Sequence, residues 1–299
     1  MFQRIKELKK EKNAVILAHY YADAAVQEAA DYVGDSFYLA KVAKGVKADT
    51  IVFCGVSFMG ESAKILNPRK TVLMPDMTAD CPMAHMVADG VIEKMRKDYD
   101  DLAVVCYVNS SIRLKAKSDV CVTSSNAVQI VKALPNKNIF FIPDEHLGRF
   151  VKEQVPEKNI ILNDGYCPIH KGISVEELKE EKARRPLAQV LSHPEAGSEI
   201  VAESDYVGST AEIIDYAKRS DCEEFIVCTE VGVAHKLQKD NPTKRFYFVR
   251  TKPVCTDMKK CTLEKIIEVL TTGKNAVELD EEEREKALLP LERMLEIAR

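Results

Sequence analysis

Nine cysteines occur in this 299-residue sequence, and three of them, Cys81, Cys167 and Cys255, recur at intervals of 86 and 88 residues. Taken alone, Cys167 in the polar turn "DGYCPIH" reads equally as a disulfide half, a metal ligand, a nucleophile or a filler thiol. Three in register narrow the choice. Thiolates drawn together from separate repeats make a metal site with one ligand missing, and soft sulfur donors favour zinc or an iron–sulfur cluster. Zinc held by three cysteines ordinarily recruits a histidine and takes two ligands from one short C-x2-4-C hairpin, whereas here each cysteine belongs to a different repeat. A four-iron, four-sulfur (4Fe-4S) cube can be gripped from three sides, leaving one iron open as a Lewis acid toward a hydroxyl or carboxylate oxygen. Such a site suits dehydration.

The same interval governs other polar residues. The segments "DYVGDSFYLAKVA" (31–43), "DVCVTSSNAVQIV" (119–131) and "DYVGSTAEIIDYA" (205–217) put Ser36, Ser124 and Thr210 in register, and His19, Tyr107 and His193 stand seventeen residues before them. One hydroxyl at a helix start reads as an N-cap, worth about 1 kcal/mol to its helix. Three facing one axis read instead as anion-binding helix N-termini, so a polyanionic substrate is expected.

The elements that must position these residues follow from the pattern between them. Short apolar runs such as "AVILAH", "AVVCY" and "IVFC" fit buried parallel strands, and "SFYLAKVAKG", "ESAKILN" and "STAEIIDYAKR" fit intervening helices. The expectation is an α/β protein of three homologous αβα domains with small parallel sheets, related by pseudo-threefold symmetry around a central site. The domains are expected at 1–99 with an N-terminal helix, 100–184, and 185–299 with a final helix over about 281–297. Ligands bind beyond the carboxyl ends of the strands in such folds, where His19 to Tyr21, Tyr107 to Asn109 and His193 to Glu195 all fall.

Composition excludes several classes. At 46% apolar and 30% charged residues, with no apolar run near membrane-spanning length, the chain reads as soluble and cytoplasmic. Its cysteines lack the dense spacing of a secreted disulfide scaffold. A formal charge of -4 gives no reason to expect nucleic acid or an anionic membrane as partner.

In this order across nearly the whole sequence, "ILAHYY", "YVGDS", "DCPMA", "YVNS", "TSSNA", "GYCPIH", "HPE", "DYVGST", "TEVG" and "PVCTDMK" resemble the quinolinate synthases of bacteria and archaea. The resemblance implies three similar αβα domains around a central 4Fe-4S cluster. It also implies condensation of iminoaspartate with dihydroxyacetone phosphate to quinolinate, phosphate and two waters on the way to NAD, with an iminoaspartate-producing enzyme upstream. Cys81, Cys167 and Cys255 correspond to the cluster ligands. His19, Ser36, Tyr107, Asn109, Ser124, His193, Glu195, Ser209 and Thr210 correspond to substrate-binding positions, with Tyr21, Tyr107 and Glu195 as acid/base candidates. Ser209, His170 and Glu230 are weaker candidates. The sequence departs from the C-x-x-C-x-x-C pattern of some members: "CTDMKKC" sets Cys255 and Cys261 six apart, leaving Cys261 as a bystander.

The remaining chemistry-bearing residues have blander readings. Cys54, Cys106, Cys121 and Cys228 sit in apolar runs as core thiols, Cys222 reads as a loop residue, and His85, His146 and His235 read as surface or capping residues. Two other functions share the cysteine pattern: a different 4Fe-4S hydro-lyase for a small polyanionic acid, and a non-enzymatic cluster or zinc sensor. The sensor would leave His19, Tyr21 and Glu195 dispensable.

Overall fold

The computed structural model describes residues 1–298, and its strands form three four-stranded parallel sheets. The first contains β1 (Ala14–His19), β2 (Tyr32–Gly34), β3 (Thr50–Cys54) and β4 (Thr71–Leu73); the second β5 (Leu102–Tyr107), β6 (Val120–Val122), β7 (Asn138–Ile142) and β8 (Asn159–Leu162); the third β9 (Gln189–Ser192), β10 (Tyr206–Val207), β11 (Glu224–Cys228) and β12 (Arg245–Tyr247). The strand orders are β2-β1-β3-β4, β6-β5-β7-β8 and β10-β9-β11-β12. In each unit the first strand is therefore internal, and because helices cover both faces it can be apolar without alternation: Ile16, Leu17, Val104, Val105, Val190 and Leu191 are all fully buried.

The repeated aspartate has a structural explanation. Asp31, Asp119 and Asp205 each accept a bond from a backbone N–H of the internal strand, at Ile16, Val104 and Val190, over 2.7–2.8 Å. Their own N–H groups donate to the carbonyls of those same residues, at 2.9 Å each. One side chain thus continues the ladder where the short edge strand has not yet begun, satisfying groups that burial would otherwise orphan.

The helices that follow the three cysteines trace a circuit. Val91–Asp98 packs on β5 of the second unit, Val175–Arg184 on β11 and on Ser198–Ala202 of the third, and Leu263–Thr272 on Phe2–Glu11 and Ala24–Ala29 of the first. All three placements differ from the expected grouping 1–99, 100–184 and 185–299: each helix packs on a unit other than the one that its place in the sequence gives it. Ile266, Val269 and Leu270 bury their side chains with Ile5, Leu8, Ile16 and Val26, adding to the layer that the helices Phe2–Glu11 and Ala24–Ala29 lay on β1. The final helix, Glu281–Ile297, lies across the first and second units, against Ser57–Leu66, Ile112–Ala116, Ala127–Ala133 and β6. No described helix is long and apolar enough to cross a membrane.

Candidate functional site

The carboxyl ends of β1, β5 and β9 lead into loops that meet in one buried region. A narrow cavity there is lined by His19, Tyr21, Ser36, Tyr107, Asn109, Ser124, His193, Glu195 and Thr210, together with Asp35, Met59, Thr123 and Met258. An adjoining cavity of about 180 Å3 is lined by Cys81, Cys167 and Cys255 and shares Tyr21, Asn109, Glu195 and Met258 with the first. Of the residues singled out from sequence, Ser209 is not brought to either lining. Its hydroxyl accepts from the Glu212 N–H while the Glu212 carboxylate accepts from the Ser209 N–H, a capping box that occupies the side chain. In the first and third units capping falls one residue before the register hydroxyl: Asp35 caps the helix begun by Ser36, and Ser209 the helix begun by Thr210. In the second unit Ser124 does not start a helix as expected, since Ala127–Ala133 begins three residues later. Ser36 and Thr210 are thereby free to face the cavity.

His19 and His193 share a local geometry. The Tyr21 N–H donates to His19 Nδ1 at 3.1 Å, and the Glu195 N–H donates to His193 Nδ1 at 3.2 Å. Each acceptor Nδ1 carries no proton, so the tautomer inferred from these bonds presents Nε2–H as a donor. Burial lowers both pKa values to about 3 and keeps the rings neutral.

His170 joins the acid/base candidates. Its Nδ1 lies 2.7 Å from Glu195 Oε2 and 3.2 Å from Cys167 Sγ, and its Nε2 lies 2.8 Å from Thr229 Oγ1. Thr229 Oγ1 is 2.7 Å from the Tyr21 hydroxyl, itself 2.8 Å from Thr210 Oγ1. With the proton on His170 Nδ1, an unbroken hydrogen-bonded path runs from Tyr21 through Thr229 and His170 to Glu195. Burial opposes ionisation of Glu195, but His170, which is also its hydrogen-bond partner, holds its pKa below the ordinary carboxylate range. Burial, then the charge of Glu195, pushes the Tyr21 and Tyr107 hydroxyls well up, so both are protonated donors at neutral pH. Two buried acceptors, Glu195 Oε1 and Asn109 Oδ1, have no hydrogen-bond partner. Burial without a partner is costly unless a ligand supplies one.

Thr229, Met258, Asp35 and Thr123 complete the region without having been singled out from sequence. Thr229 carried a readable signal, since it directly follows the apolar run "FIVC", the kind of strand end that yields His19 and Tyr107. Its partners come from other units and no local pattern names them. The three bystander histidines lie outside both linings: His85 pairs with Asp80, His146 reaches the Glu195 carbonyl from behind, and His235 approaches Glu28. Cys261 is fully buried against Cys54, away from both cavities.

A family model described as quinolinate synthetase A protein matches residues 3–296. The chain belongs to that family. It is 54% identical over 298 residues to a quinolinate synthase of Fusobacterium nucleatum subsp. nucleatum, covering 100% of this chain and 99% of that protein. Similar relatives include quinolinate synthases of Clostridioides difficile, 50% identical over 99% of this chain and 97% of the relative, and of Caldicellulosiruptor bescii, 50% identical over 98% and 97%. The donor set of this family member suits a metal or cluster cofactor. Burial, above all else, pushes the thiols of Cys81, Cys167 and Cys255 up from their usual range, so each becomes a thiolate only against a compensating cation.

Proposed function

We propose that the chain is a condensing transferase that joins iminoaspartate to dihydroxyacetone phosphate, giving quinolinate, phosphate and two waters in NAD biosynthesis. The supporting observation is that neutral histidines, hydroxyls and acid/base candidates from all three units line one buried cavity beside three cysteines. Cys81, Cys167 and Cys255 would hold a 4Fe-4S cluster, which supplies a Lewis-acidic iron to a substrate oxygen. A polynuclear group suits three cysteines that line one cavity from three separate units. Among the described residues Cys167 also stands with His170 and Glu195 as a group of donors within 4.8 Å of one another.

The chain's own residues account for the remaining requirements. His19 and His193 donate Nε2–H to the substrate carboxylates without adding a charge. Ser36, Ser124 and Thr210 offer hydroxyls to the phosphate and carboxylate oxygens, and the N-termini of two ten-residue helices add N–H dipoles. Glu195, ionised and within reach of Tyr107, takes a proton from carbon beside a carbonyl, and Tyr21 gives one to a departing hydroxyl. Thr229 and His170 return the proton between them. A dry, buried site suits two dehydrations because water is their product. Free thiols throughout the chain suit a reducing compartment such as the cytoplasm, and the upstream partner is an enzyme that makes the unstable imine.

The test is anaerobic purification, iron and sulfide counts per chain, and a quinolinate assay with iminoaspartate generated in place. Near four irons with quinolinate formed, both lost in Cys167→Ala, is the expected result. Four irons without quinolinate would redirect the reading to another hydro-lyase, and zinc or no metal would remove it.

A further inference from the structure

Glu230 lies beside the cysteine cavity, its side chain wholly buried, and takes no part in the proton path described above. Each of its oxygens has work elsewhere. Oε1 accepts from the Cys255 N–H at 3.0 Å, and Oε2 accepts from the Gly232 N–H at 2.6 Å. The Lys259 ammonium stands 3.2 Å from Oε1 and donates to the Tyr21 carbonyl at 2.6 Å. Gln27 closes the junction from the first unit, donating to the carbonyls of Tyr20, Ala22 and Gly232. Gly232 sits at the meeting point: a Cβ there would lie 2.7 Å from the Tyr21 carbonyl oxygen and 2.8 Å from both Glu230 Oε2 and Lys259 Nζ.

We propose that Glu230 is a positioning residue that, through Lys259, fixes the loop of Cys255 in the third unit against the loop of Tyr21 in the first. The inference rests on the functional reading above, in which Cys255 holds the cluster and Tyr21 moves protons. A buried carboxylate is costly in desolvation unless hydrogen bonds and an opposite charge compensate it. Here the compensating groups are the backbone of one functional residue and a lysine bound to the backbone of another. Displacing the Cys255 loop therefore takes a backbone donor from the buried carboxylate, and displacing the Tyr21 loop takes from Lys259 the carbonyl that holds it, so the two loops are coupled through this pair. The contact is aimed at backbone atoms, which leaves the Cys255 sulfur and the Tyr21 hydroxyl free for chemistry.

The experiment compares wild type with Glu230→Gln, Gly232→Ala and Lys259→Arg in two ways. In the cluster-free chain, iodoacetamide labelling of Cys255 is measured by mass spectrometry relative to Cys222, a distant and partly buried reference. In the anaerobically reconstituted enzyme, kcat and KM are measured separately. Glu230→Gln and Gly232→Ala are expected to raise the Cys255 to Cys222 ratio severalfold and to lower kcat roughly ten- to hundredfold with KM little changed. Lys259→Arg keeps the charge and a donor and is expected to retain both values. A wild-type ratio, or a wild-type kcat, in both disruptive variants overturns the proposal. Should Glu230→Gln not fold, Gly232→Ala, which leaves every charge in place, decides alone. A wild-type chain that makes no quinolinate sinks only the functional reading, and the labelling ratio then decides whether the carboxylate holds Cys255.

Discussion

His170 spends both ring nitrogens on neighbours, one on Glu195 and one on Thr229, and this makes Thr229 the weakest link in the path to Tyr21. Thr229→Val keeps the shape and removes the oxygen. We expect kcat to fall roughly a hundredfold or more with KM nearly constant; equal kcat in steady-state assays of variant and wild type would exclude proton traffic by this route. A second residue-scale expectation concerns acid. His19 titrates near 6.5 when free and near 3 in the folded chain, so between those values the unfolded state holds the extra proton and stability falls as pH falls. Urea midpoints at pH 7.5 and 5.5 are expected to differ less in His19→Gln than in wild type, and an equal difference would mean that His19 is not held neutral by the fold. Much of this scale is legible in sequence, because the shared offsets put His19, Tyr107 and His193 at strand ends. The path through His170 and Thr229 is not, since it exists only across units.

Helix starts are read from sequence to within a residue or two, and here one residue divides a cap from a cavity wall. Ser209 and Thr210 are adjacent hydroxyls with opposite duties: the first is locked in a capping box, the second bonds Tyr21. Ser209→Ala is expected to cost about 1 kcal/mol of stability and leave kcat unchanged. Thr210→Val is expected to leave the melting temperature nearly unchanged and lower turnover. Calorimetry paired with the quinolinate assay separates them, and the opposite pairing would reverse the assignment. The strands are better specified by their sequence than the helix starts. Runs such as "VILA" carry no polar residue that a solvent face would need, and Asp31, Asp119 and Asp205 stand just before the strands Tyr32–Gly34, Val120–Val122 and Tyr206–Val207.

At the scale of the whole chain, the destination of an amphipathic helix is absent from its own pattern. Leu263–Thr272 has the apolar stripe of any surface helix, and only the exposed side of the first unit decides where it goes. The final helix likewise fills the seam between the first and second units with Ala287, Leu291 and Met294, all fully buried. Leu291→Ala is expected to destabilise the protein by about 2–5 kcal/mol, measured by urea unfolding, and a loss below about 1 kcal/mol would mean that this seam is dispensable.

The return of the chain to its starting unit bears on how the protein is made. A ribosome delivers residues from the N-terminus at about 5–20 per second, so the first sheet emerges long before the helix that covers it. The earliest-synthesised unit is thus the last to be finished, waiting on the order of ten seconds with the apolar side of its first helix, Ile5 and Leu8, lacking its late partner. Nascent chains stalled before residue 263 should be cut by protease within the first unit, and those stalled with the helix fully outside the exit tunnel should resist.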